Sequence, residues 1–111
     1  MNTEMSVALL KYMDAIVNDY IAWYENTNTD PEYVAKVVEE FKNDLGFKEG
    51  NKYIKVIKGG SVHSFIVNTD SDAKFKRGDI LMAASWAAPA RNFARGNIFG
   101  EYAVRWTGPA I

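Results

Sequence analysis

The chain has 111 residues, of which 48% are hydrophobic, 24% charged and 14% aromatic, and its formal net charge is −1. This composition is typical of a globular protein and excludes the collagen-like, low-complexity and strongly disordered classes. We predict a single domain over residues 1–111, because a chain of this length is too short to bury two independent hydrophobic cores.

The counts of reactive residue types restrict the chemistry. The chain has no cysteine, which excludes disulfides and thiolate metal sites. It has one histidine, His63, which argues against a histidine-based zinc site and a Ser-His-Asp relay. We therefore expect no catalytic residue, no metal and no cofactor. The acidic start at Glu4 and the lack of an apolar stretch of about 20 residues predict a cytoplasmic protein without a membrane partner.

Charge is divided unevenly between the two halves of the chain. Residues 1–50 hold ten acidic and four basic side chains, a net charge of −6, whereas residues 51–111 hold four acidic and nine basic ones, a net charge of +5. Such asymmetry indicates a polyanionic partner. The alternative is that an acidic layer packs on a basic layer of the same molecule.

A first helix is predicted over residues 3–25. Thr3 is a suitable N-cap, and apolar residues recur at spacings of three and four over more than one side of the helix. A helix that is apolar over so much of its girth must be covered on more than one side. The polar run 25–29 then predicts a connection.

A second helix is predicted over residues 31–45. Asp30 is a good N-cap, Pro31 suits the first helical position, and a single narrow apolar stripe follows. Gly46 is expected to end the helix as a left-handed C′ residue.

After the helices the hydrophobic period changes to two. The pattern predicts four strands, over residues 52–58, 61–68, 79–86 and 100–107. Gly59-Gly60 predicts a tight hairpin between the first two strands. That turn sets the expected pairs Ile57 with Val62, Val56 with His63, and Ile54 with Phe65. The predicted fold class is α+β, with two N-terminal helices packed on a four-stranded, mainly antiparallel sheet.

The connection between the last two predicted strands contains two arginines. Pro89 and Gly96 can open and close a short helix, which would put Arg91 and Arg95 one turn apart on the same side. Together with Asn92, two such guanidinium groups can hold phosphate or carboxylate oxygens through forked hydrogen bonds. The alternative is that each arginine pairs with a helix carboxylate such as Glu39, Glu40 or Asp44.

A second basic cluster, Lys74-Phe75-Lys76-Arg77, precedes the third predicted strand. Basic residues interleaved with an aromatic ring suit single-stranded nucleic acid, because the charges meet phosphates and the ring meets bases. Solvated turn residues with an inward Phe75 are the alternative. Together, the two clusters predict an anionic-ligand site formed by Lys74, Lys76, Arg77, Arg91, Asn92 and Arg95.

The segment from Phe75 to Trp86, continued by Pro89 to Asn97, resembles a segment of small uncharacterised proteins of tailed bacteriophages. The resemblance covers about the last third of the chain. It implies a viral context and hence the cytoplasm of a bacterial host. It implies no activity and transfers no functional residue.

Two functions of different classes follow from these patterns. The first is a non-enzymatic binding module that holds an anionic ligand, nucleic acid or phosphate, at its basic loops. The alternative is a structural or assembly protein that acts through homo-oligomerisation, because the chain carries surplus apolar surface. An enzyme with Asp79 or Glu101 as a base has no supporting motif.

Overall fold

The structure is a computed structural model that describes residues 1–27 and 30–110. Over these residues the chain forms two α-helices followed by six β-strands. In chain order the elements are α1 (Thr3–Thr27), α2 (Pro31–Asp44), β1 (Leu45–Glu49), β2 (Tyr53–Lys58), β3 (Ser61–Val67), β4 (Ile80–Leu81), β5 (Ala103–Arg105) and β6 (Gly108–Ala110). The predicted α+β class is confirmed, because both helices precede and pack on an antiparallel sheet with the order β1-β2-β3-β4.

The first helix has nearly the predicted limits but a different cap. The Asn2 Oδ1 atom accepts a hydrogen bond of 2.7 Å from the N–H group of Met5, so Asn2 and not Thr3 is the N-cap. The helix continues through Thr27, whose hydroxyl donates to the carbonyl group of Trp23 and closes the last turn. The predicted connection 25–29 is therefore helical at its start, and residues 28 and 29 lie outside the described residues.

The second helix begins as predicted and ends differently. The Asp30 side chain accepts a hydrogen bond from the N–H group of Glu32 at 3.1 Å, and Pro31 is the first helical residue. The prediction of a left-handed Gly46 is wrong. Leu45 has extended backbone angles (φ −89°, ψ 124°) while its N–H group bonds back to carbonyls of the last helical turn. Strand β1 therefore follows α2 without a loop, and Gly46 is a strand residue.

The hairpin between β2 and β3 is confirmed, with Gly59 in the left-handed region at φ = 59°. The expected pair Ile57 with Val62 is also confirmed. Beyond it the predicted register is wrong, because β3 contains a β-bulge at His63 that leaves this residue without a partner in the ladder. The observed pairs past the bulge are Val56 with Ser64 and Ile54 with Ile66.

The bulge decides which side chains face the helices. A slip of one residue moves every following side chain to the other face of the sheet. Ser64 and Ile66 consequently share the helix-facing side with Ile54, whereas Phe65 and Val67 lie on the opposite face. The predicted pair of Ile54 with Phe65, which would put both side chains on one face, is wrong for this reason.

The predicted strand 79–86 is reduced to the two residues of β4. After these residues the chain turns back on itself, and the N–H group of Ala90 donates to the carbonyl oxygen of Met82 at 2.7 Å. The Ser85 hydroxyl accepts from the N–H groups of the following turn. This local closure ends the ladder with β3.

The predicted strand 100–107 is present in part but does not belong to the main sheet. Its residues in β5 pair antiparallel with β6, which contains Gly108 and Pro109. The predicted alternation is confirmed, because Tyr102, Val104 and Trp106 pack against the core. The fourth place in the sheet is taken by β1 instead.

Two hydrophobic clusters lie on the two faces of the sheet. The larger one fills the space between helices and sheet; among its buried members are Met5, Leu9, Tyr12, Ile16, Phe41, Ile54, Val56, Ile66 and Ile80. The smaller one, on the opposite face, comprises Phe65, Val67, Phe75 and Leu81. Within the described ranges, neither helix is long and apolar enough to cross a membrane.

Candidate anionic-ligand site

The arginine-containing segment 89–96 is not helical. The N–H groups of Ala90 and Arg95 donate to carbonyl groups of the segment that begins at Ile80, each at 2.7 Å. The Arg95 bond uses a donor that a short helix would need. The prediction that Arg91 and Arg95 lie one turn apart on a helix is therefore wrong.

The Arg91 side chain lies among the surrounding loops and forms an ion pair. Its guanidinium group donates to Asp72 Oδ1 at 2.9 Å and to the Tyr53 hydroxyl, and lies 4.9 Å from the centre of the Phe75 ring. The pKa of the Asp72 carboxyl is held well below its usual range by Arg91 and by two backbone N–H groups. The carboxylate partner thus comes from the neighbouring loop and not from a helix.

Other cations of the predicted site hold the loops together. Arg77 donates to Asp70 at 2.9 Å and to the carbonyl and side-chain oxygens of Asn68. The Lys74 ammonium group donates to the backbone carbonyls of Arg91 and Asn92, each at 2.7 Å. The two basic segments therefore meet in space, but the groups that meet are already hydrogen-bonded.

The remaining predicted residues are less constrained. Lys76 is exposed, and Asn92 accepts a hydrogen bond from the N–H group of Phe93. The Arg95 guanidinium lies 4.0 Å from the centre of the Phe93 ring. Within residues 1–27 and 30–110, neither Lys76 nor Arg95 has a carboxylate within ion-pair distance.

Lys76 and Arg77 line a separate cavity of about 560 Å³ together with Asp79 and Glu101. Both oxygens of the buried Asp79 carboxylate are used: one accepts from the backbone N–H of Lys76 and the other from the side chain of Asn97, each at 3.0 Å. Asp79 therefore orders the surrounding turns. The two carboxylates make this cavity less suited to an anion.

A different basic surface lies on the sheet face opposite the helices. We call it the basic cleft; it has a volume of about 280 Å³, and Lys48, Lys52, Tyr53, Lys55 and Phe65 line it together with the acidic residue Glu49. Lys48 and Lys55 are direct cross-strand neighbours in the β1–β2 ladder. The sheet thus places two lysine side chains at neighbouring positions of one face, next to aromatic rings.

Lys52 and Lys55 of the basic cleft contact rings rather than acids. The Lys55 Nζ atom lies 4.4 Å from the centre of the Trp86 ring, which is 53% exposed, and Lys52 Nζ lies 5.6 Å from that of Tyr53. In the part of the chain that the structure describes, no carboxylate lies within ion-pair distance of Lys48, Lys52 or Lys55. The nearby Glu49 is paired with the N-terminal amine at 2.9 Å.

Sequence reasoning does not find the basic cleft, because the predicted helix 31–45 and its Gly46 cap leave no strand at residues 45–49. Lys48 acquires its neighbour Lys55 through strand pairing, and Trp86 reaches the cleft only because the predicted third strand turns back. The alternation of Tyr53 and Lys55 along β2 was the one local signal available.

A buried polar network lies on the other face of the sheet. The Ser64 hydroxyl bonds to Tyr12 and to His63 Nδ1, each at 2.8 Å, and His63 Nε2 bonds to the carbonyl oxygen of Arg105 at 2.8 Å. The carbonyl is an acceptor, so His63 Nε2 carries the proton and Nδ1 accepts from Ser64. Tyr12 and Ser64 are fully buried and His63 is 4% exposed, so this Ser-His pair is structural.

Comparison with known proteins assigns no function to the predicted anionic-ligand site or to the basic cleft. No family model matches the chain, and no curated protein and no solved structure is similar to it. Function therefore rests on the geometry and charge of the molecule itself.

Proposed function

We propose that the protein is a non-enzymatic binding module that holds single-stranded nucleic acid in the basic cleft. The observation that carries the proposal is the cross-strand pair Lys48–Lys55 with Lys52 beside it, none of them in an ion pair within the described residues. Like charges directly opposite each other destabilise a sheet. A polyanion laid along the cleft removes that repulsion.

The aromatic rings favour a nucleic acid over free phosphate. Lysines act as point charges toward phosphates, while exposed rings stack on unpaired bases whatever their sequence. Trp86, which contacts Lys55, offers an exposed ring at the margin of the cleft, and Tyr53 lies within it. Double-stranded nucleic acid has its bases stacked inside the helix, so a single strand fits these groups better.

Part of the predicted site extends the basic cleft. Arg91 bonds to the Tyr53 hydroxyl, and Lys74 bonds to the backbone at Arg91 and Asn92, so these groups continue the surface beyond Tyr53. In this proposal Arg91 positions Tyr53, and Lys74 adds charge for a further phosphate. Lys76, Arg77 and Arg95 contribute through their longer-range potential.

Fluorescence anisotropy with a labelled 20-nucleotide oligothymidylate tests the proposal. Contacts from three lysines to a single strand give a log–log salt slope of about −2. Affinity should therefore fall by about 20-fold between 50 and 200 mM salt. Inorganic phosphate at millimolar concentration should not compete, because it offers no base for the rings.

Matched variants distinguish binding in the basic cleft from attraction to positive charge elsewhere on the protein. Lys48→Gln with Lys55→Gln should abolish most binding, whereas Lys36→Gln with Lys42→Gln on α2 removes the same charge and should leave affinity within about twofold. Trp86→Ala should weaken binding about tenfold or more through lost stacking, and Tyr33→Ala, a similarly exposed ring, should not. No binding at 50 mM salt, or equal losses in the control variants, would refute the proposal.

Homo-oligomerisation is a second candidate function, and the open outer edge of β1 favours it. The two functions are compatible, because the edge of a sheet and its face are different surfaces. The resemblance of segment 75–97 to phage proteins supports a role for both in the cytoplasm of an infected bacterium.

A further inference from the structure

Strand β1 is an edge strand whose outer backbone groups can be identified. The N–H group of Gly59 donates to the carbonyl of Asp44, and that of Gly50 donates to the carbonyl of Tyr53, each at 2.8 Å. In an antiparallel strand pair every second residue bonds to the partner strand, so these two bonds show which residues of β1 bond to β2. The residues between them that bond to β2 are Gly46 and Lys48.

The intervening residues direct their backbone groups away from the sheet. Phe47 and Glu49 each present an N–H group and a carbonyl group to the outer edge. Leu45 presents its carbonyl, because its N–H group bonds to the last turn of α2. The Phe47 side chain, which is 42% exposed, lies beside these groups.

We propose that two copies of the chain associate by antiparallel pairing of their β1 strands about a two-fold axis at Phe47. Phe47 then lies opposite Phe47 of the partner subunit, and Leu45 lies opposite Glu49 of the partner subunit. The outward N–H and carbonyl groups form a ladder of about four hydrogen bonds. The two sheets become one continuous sheet, and the exposed rings cover each other.

The neighbouring registers are less favourable. An axis at Lys48 places two lysines directly opposite each other, which destabilises the pair. An axis at Gly46 pairs Phe47 with Leu45 of the partner subunit, whose N–H group is already bonded within its own helix cap. The charge of Lys48 and the hydrogen bonding of the Leu45 N–H group therefore both favour the register with its axis at Phe47.

The pairing has a consequence for the basic cleft, which rests on the proposed function. Lys48 lies on β1, with its side chain on the same face as Lys55. In the dimer the two clefts lie next to each other across the new strand pair. A strand long enough to reach both clefts binds more tightly than one that occupies a single cleft.

Sedimentation velocity of the full chain at micromolar concentrations tests the pairing. The wild-type protein should sediment with twice the monomer mass of 12.5 kDa. Phe47→Lys should be monomeric with an unchanged circular dichroism spectrum, and Leu10→Lys, at an exposed apolar residue of α1, should stay dimeric. A monomeric wild type, or a dimeric Phe47→Lys, would overturn the proposal.

Cysteine cross-linking tests the register independently, because the chain has no cysteine of its own. Across a hydrogen-bonded pair the Cα atoms lie about 5.5 Å apart, which is within disulfide range. Phe47→Cys should therefore form a covalent dimer under mild oxidation, and Leu10→Cys should not. The reverse result would place the interface on α1 and refute the β1 register.

Failure of this inference can be distinguished from failure of the proposed function. If only the pairing is wrong, a monomer still binds oligothymidylate, and Phe47→Lys, which adds a positive charge, does not lose affinity. If only the nucleic-acid proposal is wrong, the cross-linked dimer forms and no oligothymidylate binds. With both correct, Phe47→Lys should lose about tenfold or more for a 20-nucleotide strand and little for a 5-nucleotide strand.

Discussion

Three features meet at His63: the β-bulge, the buried polar network and the hairpin of β5 and β6. The bulge turns the imidazole toward Tyr12, with ring centres 6.0 Å apart, and Nε2 reaches the Arg105 carbonyl on β5. Burial is the main cause that lowers the pKa of His63, opposed by the Arg105 hydrogen bond and reinforced by the nearby Lys58. His63 thus links the register of β3 to the packing of the β5–β6 hairpin.

We expect stability to fall with pH below about 6.5, the ordinary pKa of an unfolded histidine. The unfolded chain takes up a proton there while folded His63 resists it, so its contribution is complete above that pH and is lost as the pH decreases. Urea midpoints at pH 7.5 and 5.5 measure the effect. His63→Gln, which keeps a donor and an acceptor, should show a smaller pH dependence; an equal one would exclude His63 as the source.

At the scale of elements, the junction between α2 and β1 is the largest departure from expectation. Glycine after an apolar helix end is typical of a left-handed C-cap, but here Gly46 pairs with Ile57 in the ladder. The hydrogen bonds of β1 with β2 outweigh the local capping preference. The same junction creates both the Lys48–Lys55 pair and the open sheet edge.

Substitution by alanine tests whether Gly46 is a strand residue or a helix cap, and the same substitution at Gly59, a turn residue, serves as the comparison. Gly46→Ala should change the free energy of unfolding by less than about 0.5 kcal/mol, since the backbone is extended there and a Cβ atom meets nothing within 4 Å. Gly59→Ala should destabilise by about 1–2 kcal/mol, because its φ of 59° is unfavourable for a side chain. Urea unfolding measures both changes. A larger loss in Gly46→Ala would indicate a helix cap instead.

At the scale of the whole molecule, the hairpin of β5 and β6 joins the helices to the sheet through Trp106. The Trp106 ring packs against Tyr20 and Phe41, at centre distances of 5.2 and 6.4 Å, and its backbone N–H donates to Asp19 at 2.8 Å. Lys58 of β2 donates to its carbonyl oxygen at 3.3 Å. These contacts couple both helices, β2 and the hairpin.

Trp106→Ala should therefore destabilise the entire molecule by about 3 kcal/mol. Unfolding of the wild-type protein in urea should be one transition, with coincident midpoints from tryptophan fluorescence and far-ultraviolet circular dichroism. Trp86→Ala, at an exposed ring, should cost less than about 1 kcal/mol and serves as the control. Separate midpoints for the two probes would show that the hairpin and the helices unfold independently.

The two helices, the Gly59-Gly60 hairpin and the inward alternation at Tyr102, Val104 and Trp106 can be predicted from the amino-acid sequence. Each depends on a period or a turn within a few neighbouring residues, so local chemistry is sufficient. The sequence also identified basic residues in two loops that do meet in space. Their charges alone gave no indication that Asp70 and Asp72 would pair with two of the arginines.

The bulge at His63, the pairing of β1 and the location of the basic cleft depend on contacts made in the folded molecule. Each depends on residues distant in the chain: Ser64 must reach Tyr12, and Lys48 must lie beside Lys55. Strand register and edge position are fixed by long-range hydrogen bonds and by burial of one face, and no local pattern encodes them. The lysines therefore became a candidate site only when folding brought them together.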